Sequence, residues 1–142
     1  MKHIERRILS HTPKNLFKLV SDVKKYPEFL PWCLGARVNN CTETELNADL
    51  IIGFKIYKEV YSSQILLDHK KQKITVNYKE GPFEYLNNYW IFNENKKGCE
   101  VEFMVEFKFK SNFLQSLIET LFTEAVIRMV RAFESRANEL YK

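Results

Sequence analysis

The C-terminal end of the chain places the strongest constraint on the fold. From Ser111 or Asn112 to Tyr141 there is no Gly or Pro, and apolar residues recur at spacings of three and four. This pattern predicts one helix of about 28 residues, about 40 Å long at a rise of about 1.5 Å per residue. Its apolar face comprises Leu114, Leu117, Ile118, Leu121, Phe122, Ala125, Met129, Ala132 and Phe133. Such a face requires a second layer to cover it.

The residues before this helix predict that the second layer is a β-sheet. In the clearest strand, Val101, Phe103, Val105, Phe107 and Phe109 alternate with residues that are polar except for Met104. Further strands are predicted at 36–41, 46–54, 57–67, 74–78 and 86–93, with a first strand at 2–10 that has Ile4 and Ile8 on one side. Because short polar turns join them, the strands favour an antiparallel sheet.

Two short helices are predicted after the first strand. Thr12 can cap the first, and Pro13 fits its first position. Asp22 lies where this helix should stop and can cap a second helical turn that reaches Tyr26.

The predicted fold class is therefore α+β, with a single domain over residues 1–142. A curved antiparallel sheet of about six to seven strands lies against the long C-terminal helix. Small residues in the middle of such a layer pair favour a cavity between sheet and helix. The candidates are Ala48, Gly53, Ala125 and Ala132.

The octet YPEFLPWC, residues 26–33, concentrates bulky apolar side chains around two prolines. Pro27 and Pro31 keep the segment out of regular structure. We expect it to lie over one end of the gap between helix and sheet. It is either a plug that closes the core or a lid over an apolar tunnel.

Few residues suggest catalysis. His3, His11 and His69 lack metal-site spacing, and a surface or capping role is expected for each. Cys33 is interpreted as a buried filler in preference to a nucleophile, and the odd number of cysteines, three, argues against a disulfide framework. No metal site and no catalytic residue are predicted.

The motifs resemble one family over essentially the whole chain. They are VSDVKKYPEFLPWC (20–33), EGPF (80–83), GCEVEF (98–103), KSNFLQSL (110–117) and RMVRAFESRA (128–137). The chain resembles the coenzyme Q-binding START-domain branch of the polyketide cyclase and lipid-transfer superfamily, whose bacterial members include RatA-type ribosome association toxins. The resemblance implies a helix-grip (START/Bet v 1-like) fold and an apolar tunnel for a polyprenyl quinone or another lipid.

The expected ligand-binding residues are the inward-facing apolar positions and the octet, although at least half of the helix stripe should be plain core. They are Phe29, Leu30, Pro31, Trp32, Leu50, Phe54, Phe83, Trp90, Phe103, Phe107, Leu117, Leu121, Phe122, Ala125 and Met129. Tyr57, Tyr78, Tyr85 and Tyr89 are all open candidates for a hydroxyl contact with a quinone carbonyl.

Three functions follow as expectations. The first is non-enzymatic binding of a polyprenyl quinone (ubiquinone-like), with no covalent cofactor, in support of respiration or quinone biosynthesis. The second, implied by the RatA-type members, is binding to the large ribosomal subunit that inhibits subunit association. The third is a cyclase or aromatase activity.

The expected location is cytoplasmic, with peripheral contact at the inner membrane left open. The N-terminus MKHIERRILS lacks the apolar region of a secretory signal, and no run approaches the about 18 apolar residues of a membrane span. The formal charge of +4 permits association with nucleic acid or an anionic membrane, but no sequence-specific nucleic acid binding is predicted.

Overall fold

The structure, a computed structural model, describes residues 1–54 and 56–141, and the side chain of Phe54 lies outside the described part. The elements follow in the order β1 (Lys2–Leu9), α1 (Pro13–Ser21), a 3-10 helix (Val23–Glu28), β2 (Cys33–Asn39), β3 (Glu45–Phe54), β4 (Tyr57–Asp68), β5 (Lys73–Glu80), β6 (Phe83–Asn95), β7 (Gly98–Phe109) and α2 (Asn112–Leu140). The predicted α+β architecture is confirmed.

All seven strands form one antiparallel sheet in the order β1-β7-β6-β5-β4-β3-β2. Every neighbouring pair except β1 and β7 is consecutive in the chain, so short turns suffice for those connections. β1 and β2 form the two edges. The sheet and the long helix α2 form the two layers of a helix-grip fold.

The helix ends are formed by the residues that the sequence indicates. The Thr12 hydroxyl accepts a hydrogen bond from the Asn15 N–H at 3.1 Å, and Pro13 is the first residue of α1. Ser111 caps α2 in the same way through the Leu114 N–H, at 3.2 Å. Such hydroxyl caps satisfy N–H groups that have no partner within the helix.

The second helix forms with Asp22 as its N-cap residue, as predicted, although the cap is made by the backbone. The Asp22 backbone carbonyl accepts the first hydrogen bond of the 3-10 helix, from the Lys25 N–H at 3.1 Å, and its side chain makes no capping bond. Pro27 lies inside this helix. The prediction that Pro27 keeps this part of the octet out of regular structure is therefore wrong. A 3-10 helix of six residues tolerates proline because it has few N–H bonds to lose.

The two isoleucines of β1 lie on the side of the strand that faces away from the core. Ile4 and Ile8 share one side, as predicted, but that side is the outer one, where they are 52% and 49% exposed. The opposite side carries Arg7, whose guanidinium lies 3.6 Å from the Glu134 carboxylate of α2. The inner side of β1 therefore combines this ion pair with the packing of Leu9 against the core.

Candidate functional site

A cavity of about 260 Å³ lies between the inner face of the sheet and α2. Every strand from β3 to β7 contributes to its wall, and the 3-10 helix, α1 and α2 complete it. The lining residues are Val20, Val23, Tyr26, Leu30, Trp32, Ala48, Leu50, Ile52, Gly53, Tyr57, Glu59, Tyr61, Ser63, Ile65, Ile74, Val76, Phe83, Leu86, Asn88, Trp90, Phe103, Val105, Phe107, Phe109, Leu114, Ile118, Phe122, Ala125, Val126, Met129 and Phe133.

The strand periodicity explains which side chains enter the cavity. Alternate residues of a strand point to the same face, and the alternating β7 series places Phe103, Val105, Phe107 and Phe109 on the wall. On β4 the same rule selects Tyr57, Glu59, Tyr61, Ser63 and Ile65, a mixture of aromatic, charged, polar and aliphatic residues.

Small residues keep the space open, as the sequence suggests. Ala48 and Gly53 on β3 and Ala125 on α2 all line the cavity. Ala132, the fourth small candidate, packs against the core and does not line it.

The structure brings many of the predicted ligand-binding residues to this wall. Those that line it are Leu30, Trp32, Leu50, Phe83, Trp90, Phe103, Phe107, Phe122, Ala125 and Met129. Their contact with a ligand stays a prediction. Leu117 and Leu121 are only half-buried and do not line the cavity, Pro31 is exposed, and the side chain of Phe54 lies outside the described residues.

The octet is divided between the cavity and the surface of α2. Tyr26, Leu30 and Trp32 line the cavity. Phe29 does not; its ring packs edge-on against Phe133 of α2, with ring centroids 5.2 Å apart. The octet therefore forms part of the cavity wall and also attaches to the C-terminal half of α2.

An ion pair reinforces this attachment. The Arg136 guanidinium donates to the Glu28 carboxylate at 2.7 Å and lies 5.3 Å from the centre of the Phe29 ring. The hydrogen bond from Arg136 holds the pKa of Glu28 below its usual value. Glu28 therefore keeps its negative charge to a lower pH than an isolated glutamate does.

Of the four tyrosines proposed from the sequence as hydroxyl donors, only one lines the cavity. Tyr57 lines it, but the Tyr78 hydroxyl is bonded to the Phe83 backbone at 3.0 and 3.1 Å, and the Tyr89 hydroxyl donates to Glu102 at 2.7 Å. Tyr85 is 38% exposed and does not line the cavity.

Tyr26 and Tyr61, which were not among the candidates, line the cavity instead. Tyr26 donates a hydrogen bond to the Val20 carbonyl. Burial raises the pKa values of both Tyr26 and Tyr61, so both remain neutral hydroxyls at physiological pH.

The buried cysteines and two of the histidines have surroundings that the structure defines. Cys33 and Cys99 are buried, and desolvation raises the pKa of both thiols, that of Cys99 to about 11. His11 bonds to Asn138 and His69 to the Glu43 carbonyl. Within residues 1–54 and 56–141, no three His, Cys, Asp or Glu side chains are grouped closely enough to hold a metal ion.

Exposed apolar side chains adjoin the lining residues at the hairpin that joins β3 to β4. Phe113 is 60% exposed, and its ring centroid lies 5.5 Å from that of Tyr57. Leu34, 54% exposed, covers Gly53, and Ile56, 90% exposed, immediately precedes Tyr57. We call Leu34, Ile56 and Phe113 the apolar rim.

Among the helices that the structure describes, none is long and apolar enough to cross a membrane.

Comparison with known proteins identifies the family. The model of the family described as polyketide cyclase / dehydrase and lipid transport matches residues 9–134. The ribosome association toxin RatA of Rickettsia prowazekii is 40% identical over 139 residues, covering 96% of this chain and 95% of that protein. The mitochondrial coenzyme Q-binding protein COQ10 homolog B of Xenopus laevis is 31% identical over 99% of this chain and 59% of that protein.

Solved structures show the same fold. An 18 kDa protein of Caulobacter crescentus superposes with a TM-score of 0.81 at 33% identity, covering 99% of this chain and 98% of its own. The Zhui aromatase/cyclase of Streptomyces sp. R1128 superposes with a TM-score of 0.85 at 11% identity, covering 100% of this chain and 94% of its own, a likeness of fold alone. With a matching family model over most of its length and a 40% identical relative, the chain belongs to the polyketide cyclase/dehydrase and lipid transport family.

Proposed function

We propose that the protein binds a polyprenyl quinone (ubiquinone-like) or a similar neutral lipid in the cavity beneath α2, and holds it for respiratory or quinone-biosynthetic enzymes without transforming it. The observation that carries the proposal is the apolar wall of that cavity. Its polar exceptions are three tyrosines, Glu59, Ser63 and Asn88. Such a lining suits a hydrocarbon ligand with a small polar head.

The cavity volume suits a ring and the beginning of a tail. At about 260 Å³ it exceeds the about 150 Å³ of an apolar protein cavity that binds benzene. A long polyprenyl tail exceeds this volume, so its distal part has to leave the cavity. The apolar rim next to Gly53 and Tyr57 is the exit that we propose.

The similarity to a coenzyme Q-binding protein supports this ligand class. The cavity chemistry supports binding without catalysis. In the described part of the chain, no His, Lys, Arg or Asp lines the cavity, and Glu59 has no second carboxylate there to share acid–base work. The location that fits this role is the cytoplasm, with peripheral contact at the inner membrane, where quinones are dissolved.

Lipid extraction tests the proposal directly. Protein purified from a quinone-producing host should yield a quinone by mass spectrometry. A quinone added at 100 times its Kd should raise the free energy of unfolding by about 2.7 kcal/mol, a rise in Tm of about 8 °C for a chain of this size. An empty protein whose Tm does not respond to added quinone contradicts the proposal.

A second candidate function is binding to the large ribosomal subunit. The observation that favours it is the 40% identity, over nearly the whole chain, to a protein named ribosome association toxin. Cosedimentation with large subunits at moderate salt, together with loss of subunit joining, would support it. Binding that disappears with a modest rise in salt would reflect only the net charge of +4.

A cyclase or aromatase activity ranks third. Its support is a structural likeness at 11% identity, and a shared fold does not carry a shared reaction.

A further inference from the structure

Ser63 of β4 is a buried polar side chain that points into the cavity without a partner. It is 4% exposed, and its Oγ has no hydrogen-bond partner among the described residues. A buried hydroxyl is normally bonded, because an unpaired one loses its hydration without compensation. The adjacent Ser62 shows the ordinary arrangement, since its hydroxyl donates to Asp49 at 2.6 Å on the other face of β4.

A second hydroxyl lies on the same side of the same strand. Tyr61 is two residues before Ser63, so their Cα atoms are separated by about 7 Å along the strand. The Tyr61 ring is held edge-on against Phe83, with centroids 5.5 Å apart. Ala48 of β3 pairs with Ser63 in the sheet and also lines the cavity, with a side chain of only one methyl group.

The charge of the wall restricts what these two hydroxyls can bind. In the part of the chain that the structure describes, Glu59 is the only charged residue of the lining, and it lies two residues before Tyr61 on β4. A carboxylate or phosphate head group would enter an apolar space with no cation to pair with, beside a negative side chain. A neutral head group avoids both penalties.

We propose that Ser63 and Tyr61 form a polar anchor that hydrogen-bonds a neutral oxygen-bearing head group, a carbonyl or hydroxyl, of the cavity ligand. The assignment rests on the proposed function and specifies where in the cavity the head group lies. Each hydroxyl can donate to a carbonyl, and each can also accept from a ligand hydroxyl. The hydrocarbon tail then runs along the apolar lining toward α2.

Two probes with the same decyl tail distinguish hydrogen bonding by Ser63 and Tyr61 from simple packing of the tail. The first probe is a benzoquinone with a decyl tail and the second is decylbenzene, which lacks the carbonyl oxygens. Trp32 and Trp90 are the only two tryptophans and both line the cavity, so quinone binding should quench the intrinsic fluorescence. Decylbenzene is measured by its displacement of the quinone.

We expect Ser63→Ala and Tyr61→Phe each to weaken the quinone probe about fivefold, the effect of losing one hydrogen bond, and to leave decylbenzene within twofold. Ser62→Ala is the matched control, because it removes a hydroxyl one residue away that faces the other side of the sheet. It should leave both affinities unchanged. Dodecanoate should bind the wild type at least tenfold more weakly than the quinone.

The outcomes distinguish the anchor from the proposed function. If the wild type binds both neutral probes, and Ser63→Ala and Tyr61→Phe bind the quinone as tightly as the wild type does, the anchor is overturned and the proposed function is not. Wild type that binds dodecanoate as tightly as the quinone overturns the restriction to neutral head groups. Wild type that binds neither neutral probe overturns the proposed function, and the anchor with it.

Discussion

At the scale of single residues, the three thiols should differ sharply in reactivity. Cys41 is exposed, whereas Cys33 and Cys99 are buried. With a pKa of about 11, Cys99 is ionised to about one part in a thousand at pH 8, and only the thiolate reacts. A chromogenic disulfide reagent should therefore titrate one thiol quickly in the native protein and all three in urea.

Cys41→Ser supplies the control for this experiment, because it should abolish the fast phase. Rapid reaction of Cys33 in the Cys41→Ser protein would contradict its interpretation as a buried filler.

The stability of the protein should also depend on pH through Cys99. Because the pKa of Cys99 is higher in the folded than in the unfolded chain, its contribution to stability is complete below the ordinary thiol pKa and is lost as the pH rises through about 11.

Hydropathy alternation predicts cavity residues only where the wall is also packed core. Phe103 and Phe107 were predicted because β7 alternates cleanly, and both line the cavity. Tyr61 and Ser63 were missed because β4 faces open space, where polar side chains are tolerated and the apolar alternation is lost. A single sequence gives no other signal for such positions.

At the scale of elements, the type and order of the helices and strands followed from the sequence. The side that each element presents to the core or the cavity did not. The apolar stripe of α2 is wider than the cavity, so Leu117 and Leu121 belong to the stripe but lie beside the lining positions Leu114 and Ile118. The inner side of β1 likewise includes Arg7, which pairs with Glu134 of α2, and Leu9, which packs against the core. Such contacts between distant parts of the chain are not encoded in local periodicity.

The octet provides a prediction at this scale, because two of its three aromatic residues, Phe29 and Trp32, have different surroundings. Phe29 packs on Phe133 and under Arg136, outside the cavity, whereas Trp32 lines the cavity. Phe29→Ala should lower the free energy of unfolding by about 1–3 kcal/mol and leave the quinone Kd within twofold. Trp32→Ala should raise that Kd about tenfold with a smaller loss of stability.

Urea denaturation and isothermal titration calorimetry measure the two effects independently of tryptophan fluorescence. A segment that is only a plug would show parallel losses of stability and affinity in both variants. A segment that is only a lid would show weakened binding in both, with little change in stability. Opposite patterns in Phe29→Ala and Trp32→Ala would support the divided role seen in the structure.

At the scale of the whole molecule, the proposed function requires a polyprenyl quinone, which is insoluble in water, to be taken up from a membrane. The apolar rim of Leu34, Ile56 and Phe113 lies beside the cavity residues Gly53 and Tyr57. The end of the octet lies next to it, because the Gly53 N–H donates to the Trp32 carbonyl at 2.9 Å. We expect this part of the surface to contact the lipid. Isolated exposed apolar residues are ordinary, but a group at the edge of an apolar cavity indicates a binding surface.

We therefore expect Ile56→Ser and Phe113→Ser to slow the transfer of a quinone from liposomes to the protein about tenfold, because each removes apolar area that stabilises the membrane-bound state. The affinity for the decyl quinone in solution should stay within twofold, since neither side chain lines the cavity. The transfer rate is followed by tryptophan quenching after the protein is mixed with quinone-loaded vesicles.

Ile4→Ser is the matched control, because Ile4 is 52% exposed on the outer face of β1, in a different part of the surface. If Ile4→Ser slows transfer as much as Ile56→Ser does, general surface hydrophobicity drives vesicle contact and the rim has no special role.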